Sequence, residues 1–326
     1  MAGEVTAVSP GDTGGGDIKG IVTAFDEDCR MRNMTRESIL RYISGIRLLN
    51  GFCQKEHYDL IKIEDQQVVH FLKYLREERH NSPKTVKNVF NTLSSFYEFL
   101  VYVKILQRNP IPPIRKRYIR SYKSEGTRVE KRLLSVEEMS HLISMAFNVR
   151  DRAIMILLAK TGMRRNELVT LDLDDIDIPE GKLVLKPTAK RSNRVLFFDN
   201  ECAVIMKDWL EVRERMKPET RALFVNSVGK RTYRTDIYEA VTKWAQMAGF
   251  HNPKVKRADQ HFGPHCFRHW NTTWLLRKGM PREYVKELRG DARRDAIDIY
   301  NHIDMVDLKK SYLASIPQLF NTSAID

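Results

Sequence analysis

Hydrophobic positions recur with helical spacing through most of this chain. After Thr35, a residue suited to cap a helix N-terminus, Ile39, Tyr42, Ile43 and Ile46 follow at i, i+3, i+4 and i+7. A second apolar face starts near Asp65 and takes in Val68, Phe71, Leu72 and Leu75. Ser82-Pro83 then offers a capping hydroxyl with proline in the first helical turn. Val86, Val89, Phe90, Leu93, Phe96, Tyr97 and Leu100 line the long helix that follows. Together these faces predict a compact helical bundle over residues 33–114. It is expected to end at NPIPPIRKRY, where prolines stop regular structure. Residues 1–32 are rich in glycine, aspartate and small residues without an apolar period, and read as a disordered tail.

Beyond the bundle, residues 115–133 are strongly basic with interleaved aromatics, as in a linker that crosses phosphate backbones or is simply solvated. A second domain is expected over 134–326. It restarts with a capping box from Ser135 to Glu138, followed by a helix through Ala153, Ile154, Ile156, Leu157 and Leu158 that ends at Thr161-Gly162. A short helix reaches Leu171. In KLVLKPTAKRSNRVLFFD, two runs rich in valine, leucine and phenylalanine flank a polar turn, which predicts a β-hairpin with Lys190 near its tip. Further helices are expected at about 200–215 and 235–248, the latter closed by Gly249. Three more follow: one carrying His265 to Arg277 and closed by Gly279, one from Pro281, and one bearing Tyr300. The fold class is therefore mainly α: a helical bundle joined to a mostly helical domain with a small hairpin or sheet.

Charge narrows the class of partner. Among 326 residues, 55 are Lys or Arg and 42 are Asp or Glu, a net +13 that favours a polyanion. No apolar run approaches the roughly 18 residues of a membrane span, and the N-terminus lacks the order of a secretory signal, so a cytoplasmic location is expected. The four cysteines, Cys29, Cys53, Cys202 and Cys266, form no C-x-x-C pair, which argues against a disulfide framework or a zinc ribbon. His265 and His269 have helical i, i+4 spacing, but no Glu or Asp on that face completes a metal site.

The chemistry gathers in two stretches, TGMRRNEL and the region from GPHCFRHWNTT to Tyr300 and His302. Two separated arginines, a histidine, a lysine and a late tyrosine can together clamp a phosphodiester and attack it. Arginine suits the clamp because its planar fork binds two phosphate oxygens at once. A tyrosine attack leaves a covalent phosphotyrosine that keeps the bond energy for rejoining.

These motifs, with Leu288-x-Gly290 ahead of Tyr300-Asn301-His302, resemble those of the tyrosine recombinase (phage integrase) family, and the resemblance extends over most of the chain. It implies a SAM-like core-binding domain followed by a catalytic domain, the two clamping double-stranded DNA. It further implies a homotetramer on two sites, with MVDLKKSYLASIPQLF docking onto a neighbour. No metal, nucleotide cofactor or small-molecule substrate is implied. Arg164 and Arg268 match the clamp arginines, since the spacing after Thr-Gly favours Arg164 over Arg165. Tyr300 matches the nucleophile, where Tyr284 and Tyr312 lack its flanks. His265 would accept or relay the proton, and Lys190 would protonate the leaving 5′-oxygen, with Lys186, Arg191 and Arg194 close by. Glu167 resembles the family's acidic residue that steadies a catalytic arginine or histidine, and His269 one that orders the site.

One position departs from the family. Where a histidine or tryptophan usually follows Leu-x-Gly, this chain has Asp291, in an Arg-Gly-Asp form that resembles some archaeal members. A carboxylate there either pairs with Arg289 or Arg293, or repels the phosphate. The expected function is a site-specific recombinase or integrase that cuts and rejoins DNA through phosphotyrosine. The alternatives are a type IB topoisomerase-like enzyme and a catalytically weak DNA-binding protein of the same fold.

Overall fold

The computed structural model describes residues 18–119, 132–186, 194–255, 258–291 and 303–320. The chain divides into two compact units, Met1–Gly126 and Thr127–Asp326.

The first unit is a bundle of α1 (Ile18–Met31), α2 (Arg36–Lys55), α3 (Asp65–Lys73, running on through a π turn to Glu78), α4 (Pro83–Tyr102) and α5 (Ile111–Tyr118). Local chemistry sets its helix starts. The Thr35 side chain accepts from the Ser38 N–H and the Ser82 side chain from the Thr85 N–H, in each case satisfying an amide the first turn leaves orphaned. Aromatic rings fill the centre: Phe52 lies against Phe71 at 5.2 Å and Phe25 meets Phe96 edge-on at 5.4 Å.

Two expectations are corrected here. Helix α1 occupies 18–31, inside the stretch read as a disordered tail. Its sequence is polar on average, yet Phe25 and Cys29, four residues apart, are fully buried, with Ile18, Ile21 and Val22 beside them. The partners that make this face apolar in effect, Phe96 and Phe99, lie far along the chain. Likewise α5 occupies 111–118, across the prolines expected to stop regular structure and into the segment assigned to the linker. Pro112 and Pro113 fall in its first turn, where a missing N–H costs nothing. Because α1 is packed through Phe25, Phe25→Ala is expected to destabilise this unit by about 3–5 kcal/mol. Denaturant unfolding of the variant measures this, and an unchanged midpoint would return α1 to a loosely attached tail.

The second unit is built around α7 (Val149–Thr161), which is buried continuously from Ala153 to Thr161. Around it stand α6 (Val136–Ser144), α8 (Arg165–Thr170), α9 (Asn200–Met216), α10 (Arg234–Met247), α11 (Pro264–Arg277), α12 (Arg282–Arg289) and α13 (Met305–Ser315). The Ser135–Glu138 capping box opens α6 as expected. An antiparallel sheet of β1 (Ile176–Asp177), β2 (Lys182–Leu185) and β3 (Arg194–Phe197) lies to one side in the order β1-β2-β3. The β2–β3 register pairs Leu183 with Leu196 and Leu185 with Arg194, so the expected hairpin is present. Its tip lies outside the described residues.

The segment expected to dock onto a neighbour folds back on its own domain. Leu308, Tyr312, Ile316 and Leu319 are buried there. The Lys160 ammonium, with no exposed surface, bonds Asp199 and Glu201 at 2.5 Å and the Pro317 carbonyl at 2.7 Å. Glu201 in turn accepts the Leu319 and Phe320 amides. A buried ammonium is tolerable only when paired in this way, and the pairing holds the segment in place. All four cysteines are free and buried. Among the described residues no helix is long and apolar enough to cross a membrane, and no metal-ligand cluster is found.

Candidate active site

The site is assembled by three backbone turns. At the first, α7 ends on Gly162 in the left-handed region (φ 60°), where its amide donates to the Leu158 carbonyl and a Cβ would collide with the Asn271 side chain. Asn271 donates to the Ala159 and Lys160 carbonyls at 3.0 and 2.7 Å, which ties α11 to the end of α7. The second turn starts α8. Arg164 is its N-cap residue, and the Glu167 carboxylate accepts the Arg164 amide at 2.7 Å. The third is the left-handed cap Gly290 (φ 58°) at the end of α12, which leaves the Arg289 carbonyl turned outward from the last helical turn.

That carbonyl is the common anchor of both candidate clamp arginines. Arg164 Nη1 donates to it at 3.2 Å and Arg268 Nη2 at 2.8 Å, while Arg268 Nη1 donates to the Gly162 carbonyl at 2.9 Å. Arg164 also bonds Glu167 at 3.2 Å. Residues about 100 positions apart in sequence thus converge on one backbone oxygen at a helix C-terminus, where the dipole favours cations. Arg165 lies over the Tyr238 ring at 5.9 Å and lines the same cavity as Arg164 and His265.

Burial, then the neighbouring charges of Arg164 and Arg289, push the Arg268 pKa down to about 9, which leaves it cationic at neutral pH. Among the described residues, four guanidinium groups (Arg164, Arg194, Arg268 and Arg289) gather here around two carboxylates, Glu167 and Asp291. Burial raises the Glu167 pKa, but hydrogen bonds from Arg194 and the Arg164 amide outweigh it, and the net shift is downward. His265 stands exposed in the first turn of α11, its ring 5.0 Å from that of His269. Arg164 and His265 line a cavity of about 480 Å³ together with Met163, Tyr238 and Gly263.

Asp291 lies against the clamp. Its Oδ2 accepts from Arg289 Nε at 2.7 Å, and its Oδ1 is 3.6 Å from Arg268 and 3.9 Å from Arg164. Arg289 also donates to Thr272 on α11 at 3.1 Å. Of the two pairings open for Asp291, the bond to Arg289 is present, whereas Arg293 lies outside the described residues. Burial would raise the Asp291 pKa, but Arg289, Arg268 and Arg164 hold it below the usual carboxylate value.

Lys190 and Tyr300 also lie outside the described residues, as does His302. Two of Lys190's rivals are engaged elsewhere. Lys186 is bound by Asp172 and Asp175 at the base of the hairpin, and its pKa is raised chiefly by the Asp172 bond. Arg194 is buried and bonds Glu167 at 2.7 Å. Two parts of the site escape sequence reasoning, the Arg289 carbonyl and the Arg194–Glu167 bond. The first is a backbone atom whose only trace is Gly290, and the second is a contact between positions 27 apart.

The chain is similar to known proteins over most of its length. Residues 132–306, a span that includes Tyr300, match the phage integrase family, and residues 21–106 match the phage integrase N-terminal SAM-like domain. Tyrosine recombinase XerC of Alcanivorax borkumensis is 29% identical over 265 residues, 78% of this chain and 81% of that protein. An Escherichia coli tyrosine recombinase XerC is 28% identical over 232 residues, 70% and 72% of the two chains. Among solved structures, the post-cleavage complex of XerH recombinase bound to palindromic difH substrate has a TM-score of 0.65 at 22% identity. It covers 89% of this chain and 83% of its own. A lambda integrase dimer bound to a core site has a TM-score of 0.64 at 14% identity, covering 88% and 99%. The architecture is therefore that of these enzymes, and the chain belongs to the phage integrase family of tyrosine recombinases.

Proposed function

We propose that the protein exchanges DNA strands at a specific site, with Arg164 and Arg268 clamping one scissile phosphate and Tyr300 attacking it. Tyr300 Oη bonds to phosphorus as its proton passes to His265. The bond from phosphorus to the 5′-oxygen breaks, and Lys190 gives that oxygen a proton. The 5′-hydroxyl of a partner strand then attacks the phosphotyrosine, which restores a phosphodiester and frees the tyrosine. The backbone bond energy is kept throughout, so the balance needs no nucleotide. Asp291 serves by orienting Arg289 beside the clamp. Four protomers on two DNA sites carry out the two exchanges through a Holliday junction.

The observation that supports this reading most strongly is the convergence of Arg164 and Arg268 on the Arg289 carbonyl. It holds two guanidinium groups on one backbone oxygen, in a cluster where, among the described residues, four guanidinium groups meet two carboxylates. Lys190 is preferred to Lys186 and Arg194, which are held by carboxylates, while Arg191 lies outside the described residues. The test is a strand-exchange assay in EDTA with two labelled copies of a duplex selected for binding from random sequence. Junction and recombinant products are expected. Relaxation of supercoiled plasmid irrespective of that sequence, without exchange, would instead fit a topoisomerase.

Asp291→Ala is expected to slow single-turnover cleavage by roughly tenfold, short of the ~10²-fold that a 1 Å misplacement of reacting groups can cause. Arg289 keeps its charge but loses the carboxylate that holds its Nε. A faster Asp291→Ala enzyme would mean that the carboxylate opposes the phosphate rather than organising its receptor.

A further inference from the structure

Arg194 is the first residue of β3 and only four positions beyond Lys190, yet its side chain runs inward rather than toward the hairpin tip. It is 7% exposed, and Nη2 meets Glu167 Oε2 at 2.7 Å. That same oxygen accepts the Arg164 amide at 2.7 Å, and the other carboxylate oxygen takes Arg164 Nη1 at 3.2 Å. The Arg194 guanidinium also packs beneath the Gly290 turn. A Cβ on Gly290 would stand 3.0 Å from its Cδ and Cζ, and closer still to Nη1. Arg194 therefore touches both supports of the clamp, the carboxylate that holds Arg164 and the turn whose carbonyl holds Arg164 and Arg268.

Packing alone does not call for a guanidinium here. Burying a charge is expensive, and an apolar side chain of similar volume commonly replaces a buried ion pair at no loss of stability. The charge balance gives a reason to keep it. Among the described residues the cluster holds four guanidinium groups, Arg164, Arg194, Arg268 and Arg289, against two carboxylates, Glu167 and Asp291. Glu167 is shared between Arg194 and Arg164. Without Arg194, more of its charge would bear on Arg164 and hold that guanidinium back from a phosphate.

We infer that Arg194 is a positioning residue for strand cleavage. It engages Glu167 and braces the 289–291 turn, so that Arg164 and Arg268 face the phosphate. The inference rests on the clamp assignment proposed above.

The test uses the full-length protein and a nicked duplex that traps covalent complex, in two forms: an ordinary scissile phosphate and an uncharged methylphosphonate. A neutral centre depends far less on the clamp's cations. Arg194→Met, which keeps an unbranched apolar stem but removes the guanidinium, is expected to bind the duplex within about threefold of the parent, as one buried charge among many exposed cations. It should cleave the phosphodiester about 10–100-fold more slowly, the loss typical of a misaligned supporting group. On the methylphosphonate the defect should be much smaller. Equal losses on both substrates, or no loss on either, would overturn the inference and leave Arg194 a purely structural residue. Arg194→Lys keeps the charge without the fork, and an intermediate rate is expected. It reports if the methionine variant does not fold, and full activity in the lysine variant would also overturn the inference. Failure of the parent protein to form any covalent complex would instead sink the cleavage reading itself, and this inference with it.

Discussion

Arg268→Ala is expected to slow single-turnover cleavage by about 10²–10³-fold, the usual consequence of removing a preorganised donor to developing charge. Duplex affinity should fall far less, because Arg268 is one of 55 Lys and Arg residues and is almost wholly buried. The asymmetry follows from how the side chain is held. Bonds to the Gly162 and Arg289 carbonyls at 2.9 and 2.8 Å fix the guanidinium plane before any DNA arrives. Its stabilisation is then realised at the reacting phosphate without reorganisation. Arg268→Lys should recover little, since one ammonium cannot reach both carbonyls and still offer a fork to the phosphate. Parallel measurement of cleavage rate and binding constant checks this. An affinity loss as large as the rate loss would make Arg268 an ordinary backbone contact.

Much of the fold was legible because its signals are local. Thr35, Ser82-Pro83 and the Ser135–Glu138 box each place a helix start within one turn of chain, and all three caps are present. Helix α1 was not legible, because its buried face is defined by Phe96 and Phe99, some 70 residues later. Pro112-Pro113 misled for a different reason: proline ends one helix as readily as it begins the next, and only the backbone ahead decides. In the site, Arg164 and Arg268 could be picked out from the residues flanking them. What holds them could not, since a carbonyl oxygen leaves no mark in a sequence beyond the glycine that lets the turn form. Arg194 was noticed only as a neighbour of Lys190. Its partner Glu167 lies on a different element, α8, and their contact joins positions 27 apart.

Asp291 shows how a departure from a family's pattern can be read through its neighbours. Taken alone, a carboxylate beside a phosphate receptor looks obstructive. With Arg289 Nε at 2.7 Å and Arg268 at 3.6 Å, it belongs to a network in which, among the described residues, arginines outnumber carboxylates. The turn thus sets the Arg289 guanidinium beside Asp291 and close to Arg268.

The most direct measurement is covalent trapping on a nicked duplex, comparing the parent protein with Tyr300→Phe. Losing only the phenolic oxygen should leave duplex binding intact, since the ring and every cation of the clamp remain. The nucleophile itself is gone, so trapped complex should vanish from the variant, and mass spectrometry of the parent adduct should place the nucleotide on Tyr300. Covalent complex persisting in Tyr300→Phe, with the nucleotide carried on another tyrosine, would contradict the assignment.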